Sequence, residues 1–272
     1  MRNVSLGVLL ALLTACAHER GHPVACPVRG ELGPASGYFG ELYEDYVLSY
    51  VFADVEHGSY IDVGANDPDR GNVTKRFYLA GWRGINIEPN PEVFAVLDRA
   101  RPGDVNLNVG IADQRGHLTF YRFRDSSGLS TFDRDIAERH HRERGLVYEE
   151  LDVAVMTLDD VLAEHAAGGR SISFMSVDVE GYERHVLASV DLAKHPIAVI
   201  MVEANAPMTQ VASYRDWEPL LTSAGYLFAM SDGLNRYYVS PARRDLLPRF
   251  AAINRCVELD KTAKHIPLGS YR

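Results

Sequence analysis

The sequence is poor in cysteine and carries no excess of positive charge. Its three cysteines, Cys16, Cys26 and Cys256, show none of the close spacings of zinc or iron–sulfur sites, so no metal site is predicted. The net charge of -9 argues against a nucleic-acid partner held by neutralisation of its phosphates. Internal repeats and low-complexity tracts are also lacking. A chain of 272 residues can bury a substantial core as one domain, with room for an insertion.

The apolar run near the N terminus, residues 4–13, is too short to span a bilayer comfortably. Arg2 precedes it and Leu-Thr-Ala-Cys16 ends it. This pattern resembles a bacterial lipoprotein signal over residues 1–16, with Cys16 lipidated and anchored to a membrane. The alternatives are an overlong start or an N-terminal helix. Residues 17–37 contain three prolines and four glycines and are predicted to be a linker. Outside the cytosol, Cys26 and Cys256 could pair.

A strand, a glycine turn and a helix start follow one another from Ser59 onward. Residues 59–63 have β character, Gly64 breaks the run, and Asn72 is a candidate N-cap for a helix over residues 73–80. Glycine lets a ligand approach bare backbone, and the first amides of a helix have no partner within the helix. The stretch therefore predicts a site for an extended ligand that carries hydroxyl groups or negative charge.

Strand and helix signals alternate through the first half of the chain, which predicts a parallel sheet with right-handed crossovers. The predicted elements are a helix at 41–53, strands at 59–63, 83–88 and 105–111, and helices at 73–80 and 91–99, with Asn90 as the N-cap of the latter.

The pattern changes after the third strand. Residues 116–123 alternate and predict a strand added in a hairpin, and the polar residues 124–150 predict an insertion near the site, with a helix at 133–144. The remaining predicted strands are 151–155, 172–179, 197–202, 226–230 and 236–239, the last two antiparallel, and the remaining helices are 157–165, 182–190 and 213–224. One domain over 38–245 and a C-terminal tail over 246–272 are expected.

The turn after the first strand lacks the G-x-G-x-x-G loop that admits a pyrophosphate. Asp67 and Asp69 would repel phosphates, which disfavours a dehydrogenase-like nucleotide site. Glu88 ends the second strand, where a carboxylate can accept both hydroxyls of a ribose. A nucleoside with no phosphate and a positive end describes S-adenosylmethionine. The alternative is a helix-capping turn beside a surface glutamate.

Five segments together resemble the FkbM-type S-adenosylmethionine-dependent methyltransferases. They are Tyr60-Ile-Asp-Val-Gly-Ala-Asn-Asp, Asn86-Ile-Glu-Pro-Asn-Pro91, Gly128-Leu-Ser-Thr131, Thr157-Leu-Asp159 and Val177-Asp-Val-Glu-Gly-Tyr-Glu183. The resemblance implies a Rossmann-like, seven-stranded class I methyltransferase sheet, α/β and mostly parallel, with helices on both faces and an insertion after the third strand. It also implies methyl transfer to oxygen, typically to a hydroxyl of a sugar or secondary-metabolite-like small molecule.

The resemblance also assigns cofactor-binding residues by position. Asp62, Gly64 and Asn66 would hold the methionine end of S-adenosylmethionine, and Glu88 its ribose. Asn108 to Gly110 would lie along the adenine. Asp113 is a further candidate for the adenine amino group, and Gly128 to Thr131 for a lid over the cofactor.

Candidate catalytic residues lie at the carboxyl end of the buried strand predicted at 172–179. Methyl transfer needs an acceptor oxygen close to the methyl carbon and a base for its proton, and a carboxylate can serve as that base. Asp178 is expected near the sulfonium and Glu180 toward the acceptor or as a loop anchor, on opposite faces if the strand continues. Alternatively, both cap the next helix. His185, one turn into that helix, is another candidate base.

Two further pairs of residues have two interpretations each. Glu203 and Asn205, after the next buried strand, either line the acceptor pocket or cap a turn. His140 and His141 are adjacent on a predicted helix and point about 100° apart, so a solvated helix explains them better than a metal site.

One conflict remains open in the sequence. S-adenosylmethionine implies the cytoplasm, whereas the N terminus resembles an export signal. A membrane-tethered, non-catalytic binding domain on the same fold is therefore the alternative function.

Overall fold

The computed structural model describes residues 35, 37–165 and 171–263, with side chains described up to residue 258. The predicted signal segment with Cys16 and nearly all of the predicted linker lie outside the described residues. None of the described helices is long and apolar enough to cross a membrane.

The described chain alternates between strands and helices. The strands are β1 (Ser59–Val63), β2 (Arg83–Ile87), β3 (Val105–Leu107), β4 (Gly110–Ile111), β5 (Gly116–Phe123), β6 (Tyr148–Met156), β7 (Ile172–Val177), β8 (Ile197–Glu203), β9 (Leu227–Ser231) and β10 (Asn235–Val239). The helices are α1 (Glu44–Val51), α2 (Lys75–Leu79), α3 (Pro91–Ala100), α4 (Arg134–Arg144), α5 (Leu158–His165), α6 (Glu183–Ala188), α7 (Glu218–Ser223) and α8 (Leu247–Ala263).

Seven strands form the main sheet in the order β3-β2-β1-β7-β8-β10-β9. All neighbours pair in parallel except β10, which runs antiparallel to both β8 and β9. The order reverses between β1 and β7, and ligands of open α/β sheets bind outside the carboxyl ends of the strands at such a point. The predicted Rossmann-like, mostly parallel seven-stranded sheet is confirmed.

Alternate residues of the central strands feed two separate cores, one on each face of the sheet. On β7, Phe174 packs into the core under α1 and α8, whereas Met175 packs into the core under α5, α6 and α7. Both side chains are completely buried. Because successive side chains of a strand point to opposite faces, a strand covered on both sides is apolar throughout. This confirms the prediction of helices on both faces.

The predicted third strand, residues 105–111, is split between two sheets. β3 pairs with β2 in the main sheet, whereas β4 pairs with β6 in a small sheet of order β4-β6-β5. Asn108 lies at the break, and its Nδ2 donates hydrogen bonds to the backbone oxygens of Glu88 at 2.8 Å and Pro89 at 3.1 Å. These bonds hold the chain where it leaves the main sheet. The insertion then begins with β4 and contains a second sheet as well as α4.

The helices α3 and α4 each begin at a side-chain cap, of which Asn90 was predicted and Asp133 was not. The side chains of Asn90 and Asp133 accept hydrogen bonds from Glu92 N at 3.1 Å and Ile136 N at 3.0 Å. The predicted helix at 213–224 is instead broken into a 3₁₀ turn, Tyr214–Asp216, followed by α7. Pro219 explains the break, because its ring clashes with the carbonyl four residues earlier in a continuous helix.

The C-terminal region expected to be a tail begins with ordered structure. Leu246, Phe250 and Ile253 are buried in the core that contains α1, and Arg249 Nη1 donates to the carbonyl oxygen of Val51 at 2.7 Å. Cys256 is buried beside them and disulfide-bonded, and its partner lies outside the described residues. α8 is thus part of the domain.

Candidate active site

A cavity of about 980 Å³ opens at the carboxyl ends of β1, β2, β7 and β8. Its lining includes most of the residues predicted to hold cofactor and substrate, namely Asp62, Gly64, Asn66, Glu88, Gly110, Asp178, Glu180, Glu203 and Asn205. These residues come from five separate segments of the sequence and meet in one cavity, large enough for a cofactor together with a small acceptor.

The turn after β1 requires glycine at position 64. Gly64 has φ +85°, and a Cβ atom there would lie 1.9 Å from the backbone oxygen of Asp178. The amides of Gly64 and Ala65 both donate to the carbonyl oxygen of Ile87, at 3.0 and 3.1 Å. The turn is therefore pressed between the ends of β2 and β7, and its free edge faces the cavity.

The carboxyl group of Asp62 is held in place by Thr74, the residue before α2. Thr74 Oγ1 donates to Asp62 Oδ2 at 2.9 Å, and Asn72 Oδ1 accepts from Lys75 N at 2.8 Å, as a cap of α2. Burial raises the pKa of Asp62 to about 6. Arg101, which sequence reasoning missed, is buried and donates to Asn72 Oδ1 at 2.9 Å. Asp62 can therefore accept a hydrogen bond from a cationic group at low desolvation cost.

Glu88 is buried at the end of β2 and is oriented by two backbone amides. Its Oε2 accepts from Asn66 N at 2.9 Å and its Oε1 from Asn90 N at 2.7 Å. Burial raises its pKa to about 7, against these hydrogen bonds, which lower it. Each carboxylate oxygen has two lone pairs, so both oxygens retain capacity toward the cavity. That geometry suits a pair of vicinal hydroxyls.

The residues expected along the adenine divide into two groups. Gly110 lines the cavity with Val109 and Ile111. Asn108 is exposed, and its side-chain amide donates to the backbone oxygen of Pro89 after β2. Asp113 instead pairs with His185, its Oδ1 lying 3.0 Å from His185 Nδ1, and neither belongs to the cavity lining. The catalytic role of His185 and the adenine role of Asp113 stay predictions without geometric support.

Three carboxyl groups meet at the other end of the cavity: Asp178, Glu180 and Glu203, here called the acidic trio. Val177 on β7 pairs with Val202 on β8, so Asp178 and Glu203 are the next residues in register on adjacent strands. The side chain of Asp178 is exposed at the cavity, and desolvation by the surrounding protein raises its pKa to about 7. Glu203, only 7% exposed, has a pKa raised well above its usual range by burial and by Asp178.

Asp178 and Glu180 are expected on opposite faces only if the strand continues through them. It does not continue, because β7 ends at Val177 and Glu180 has φ +52°. A left-handed residue interrupts the alternation of an extended strand. Both side chains therefore line the cavity.

The turn between β7 and α6 is held by Glu183, the first residue of α6. Its Oε1 accepts from Gly181 N at 3.0 Å and from Val179 N at 3.3 Å. Glu183 is 3% exposed and lies outside the cavity lining. The spacing Glu180-Gly-Tyr-Glu183 contained this signal, since an acid just after a glycine turn is a natural partner for its amides.

The segment 128–131, expected to be a lid, lies over both halves of the cavity. Ser127 Oγ donates to Asn66 Oδ1 at 3.0 Å, and Thr131 Oγ1 donates to the backbone oxygen of Glu180 at 2.9 Å. It overlaps the end of a 3₁₀ helix, Arg124–Leu129, which contains Ser127 and whose residues 125–129 also line the cavity. One continuous segment therefore contacts the turn after β1 and the turn after β7.

The two histidines of α4 lie away from this cavity. His140 is buried against Phe123, and burial lowers its pKa, whereas His141 is exposed and bonds Leu146 O through Nδ1 at 2.8 Å. Within the described part of the chain, no three His, Cys, Asp or Glu side chains are arranged to hold a metal ion.

The comparison with protein families agrees with this geometry. The model of the methyltransferase FkbM domain matches residues 62–228. The chain belongs to the FkbM methyltransferase family. The match begins at Asp62, within β1, and ends within β9, so it includes the cavity residues from Asp62 to Asn205 and the insertion. The protein is therefore a methyltransferase by family.

Among solved structures, the protein is similar to a TehB-like SAM-dependent methyltransferase from Corynebacterium glutamicum. The identity is 9%, the TM-score is 0.40, and the match covers 76% of this chain and 91% of that chain. No curated protein matches the chain.

Proposed function

We propose that the protein is an S-adenosylmethionine-dependent O-methyltransferase that acts on a hydroxyl group of a small molecule, such as a sugar or a secondary metabolite. The observation that supports it is one cavity with a buried, backbone-oriented Glu88 at one end and Asp178 at the other. The first suits a ribose, and the second suits proton removal from an acceptor.

The residues present fit S-adenosylmethionine. Gly64 leaves the backbone edge free, Glu88 would accept the ribose hydroxyls, and Asp62 and Asn66 would face the methionine end. Asp67 and Asp69, which the sequence suggested would repel a phosphate, are instead paired with Arg70 at 3.0 Å and Lys75 at 2.6 Å and lie outside the cavity lining. When bound, this cofactor supplies an electrophilic methyl group on a sulfonium, and the electron pair of the broken carbon–sulfur bond stays on sulfur.

Asp178 is the proposed general base. As the acceptor oxygen gains the methyl carbon, its proton passes to the Asp178 carboxylate. A pKa of about 7 lets this group be ionised and still basic at neutral pH, the range in which general bases work best. Glu203 supports it, because the neutral carboxyl of Glu203 donates a hydrogen bond to the Asp178 carboxylate.

Calorimetry with S-adenosylhomocysteine tests the cofactor site directly. The protein is expected to bind it, and Glu88→Ala is expected to weaken binding about tenfold or more, because hydrogen bonds to a charged group are lost. Glu92→Ala is the matched control: Glu92 lies in the first turn of α3 and pairs outside the cavity with Arg122 and Arg124. Failure of the parent protein to bind, or equal affinity for both variants and the parent, would refute the proposal.

A further inference from the structure

The cavity is strongly acidic. Eight carboxyl side chains line it, against two guanidinium groups, Arg70 and Arg144. Both arginines are engaged elsewhere: Arg70 Nη2 lies 3.0 Å from Asp67 Oδ2, and Arg144 Nη2 donates to Met208 O at 3.2 Å. The electrostatic field inside the cavity therefore favours a cation.

Five of these acids are stabilised by the protein or are exposed. Glu88 accepts two backbone amides, Asp62 accepts the Thr74 hydroxyl, and Glu44 accepts Leu42 N at 2.8 Å and Asn235 Nδ2 at 3.0 Å, whereas Glu41 and Asp125 are exposed. The excess of negative charge therefore lies deeper, at the acidic trio.

The acidic trio has no such support. Within the described part of the chain, none of its members forms an ion pair with a Lys, Arg or His side chain. Oε2 of Glu180 and Oε2 of Glu203 are both buried atoms without a protein hydrogen-bond donor. Glu203 is more than nine-tenths buried and still faces the cavity. A buried carboxylate oxygen without a donor carries a large desolvation cost, which a ligand can remove.

A bound cofactor removes only part of this cost. The ammonium and carboxylate of a methionine end cancel, so one positive charge remains at the sulfonium. A metal ion is an unsuitable alternative, since no group of three ligands in the described residues is arranged to hold one. The remaining complement is a ligand that brings both positive charge and several hydrogen-bond donors.

We propose that the acceptor carries a protonated amine beside the hydroxyl that is methylated, and that Glu180 and Glu203 bind this ammonium group through their unpartnered Oε2 atoms. The acceptor class is thus an amino sugar or another amino polyol. This inference rests on the proposed function, since it assigns the substrate of the same site. Asp178 keeps its role as the base for the hydroxyl, and the ammonium group serves only as a handle for binding.

In the ligand-free protein, protonation of the carboxyl groups reduces the negative charge of the acidic trio. Burial and mutual repulsion raise the pKa of Glu180 well above its usual range, and the groups that act on it are Asp178, Glu183 and Glu41. A bound ammonium group reverses this balance, because an opposite charge nearby favours the ionised carboxylate. Binding of an amine should therefore release a proton from Glu180, a signature that a neutral sugar cannot produce.

The test uses glucosamine, galactosamine and mannosamine, each compared with its parent hexose and with its N-acetyl derivative, which keeps the nitrogen but removes the charge. Calorimetry is performed on the protein saturated with S-adenosylhomocysteine, in two buffers of different ionisation enthalpy at pH 7. At least one amino sugar is expected to bind about tenfold more tightly than both of its neutral counterparts, with proton release.

Glu180→Gln is expected to remove this preference and the proton release. Asp125→Asn is the matched control, since it deletes an exposed acid from the same cavity and should keep both. Equal affinity for charged and neutral sugars, or a preference that survives Glu180→Gln, would overturn the inference. Binding of S-adenosylhomocysteine in those same samples would leave the proposed function standing, whereas its absence would overturn both.

Discussion

Asp178 and Glu203 follow directly after paired residues of two adjacent parallel strands, and their carboxyl groups share a hydrogen bond. Such a bond needs one proton, and the raised pKa of Glu203, which burial and repulsion from Asp178 cause, favours Glu203 as its carrier. The neutral acid then donates to its ionised neighbour. Two carboxyl groups in one cavity thereby acquire different roles, as in other paired-acid sites.

This pair predicts how methyl transfer depends on pH. Asp178 must be ionised to accept a proton, so kcat/KM should rise with pH through about 7, the raised pKa of this group. Glu203→Gln keeps a neutral donor and should keep the midpoint. Glu203→Leu removes the donor that stabilises the carboxylate, and its midpoint should move to higher pH. Identical pH profiles for the two variants would show that Glu203 does not act through Asp178.

Because several acids are buried in the cavity, the free energy of unfolding should also depend on pH. The folded-state pKa values of Asp62, Glu88 and Asp178 are raised to about 6, 7 and 7. The folded protein therefore binds more protons than the unfolded chain between about pH 4 and 7, and the free energy of unfolding falls as pH rises through that window. Urea denaturation at pH 5.5 and 7.5 should show lower stability at the higher pH. Asp178→Asn should reduce this difference; an unchanged difference would count against the raised pKa.

Gly64→Ala tests the close approach of the two turns. The substitution places a Cβ atom in a backbone conformation of φ +85° and against the backbone oxygen of Asp178. A loss of about 2 kcal/mol or more in the free energy of unfolding is expected. Gly116→Ala is the control, because no atom lies within 4 Å of its Cβ position, and it should change stability by less than about 1 kcal/mol. Equal effects at both sites would refute the strain argument.

Ser127→Ala tests the contact between the segment 127–131 and the turn after β1. Loss of the hydrogen bond from Ser127 Oγ to Asn66 Oδ1 should weaken binding of S-adenosylhomocysteine about three- to tenfold, mainly through faster dissociation. Ser126→Ala changes the neighbouring hydroxyl on the same cavity wall and should have less effect. The dissociation rates of S-adenosylhomocysteine from the two variants are compared by stopped flow. Equal rates would show that the Ser127 hydroxyl does not help to retain the ligand.

Much of the fold was predictable because its signals are local. β1 and β5 have the predicted bounds, and Asn90 caps α3 as predicted, since strand patterns and N-cap side chains are visible within a few residues. The helix α8 had the same kind of signal in Leu246, Phe250, Ile253 and Val257, which have helical spacing and are all buried. The spacing of these four residues is sufficient to predict a helix in this region.

Other features depend on contacts between distant residues. Nothing near residue 108 shows that the third strand divides between two sheets, because the division depends on pairing with residue 155. The left-handed conformation of Glu180 likewise follows from the packing of its turn, and it brings a second acid into the cavity. Motif order predicted Asp62, Gly64, Glu88 and Asp178 as site residues, and all four line the cavity. Their relation to Glu203 required the register of β7 and β8.

The segment from Ser127 to Thr131 touches the cofactor half of the cavity at one end and the acceptor half at the other. Closing it over the first ligand would shape the place where the second one binds. We therefore expect the two substrates to bind in a compulsory order, cofactor before acceptor, with the methylated product leaving first. In steady-state kinetics, S-adenosylhomocysteine would then inhibit competitively against the methyl donor and noncompetitively against the acceptor.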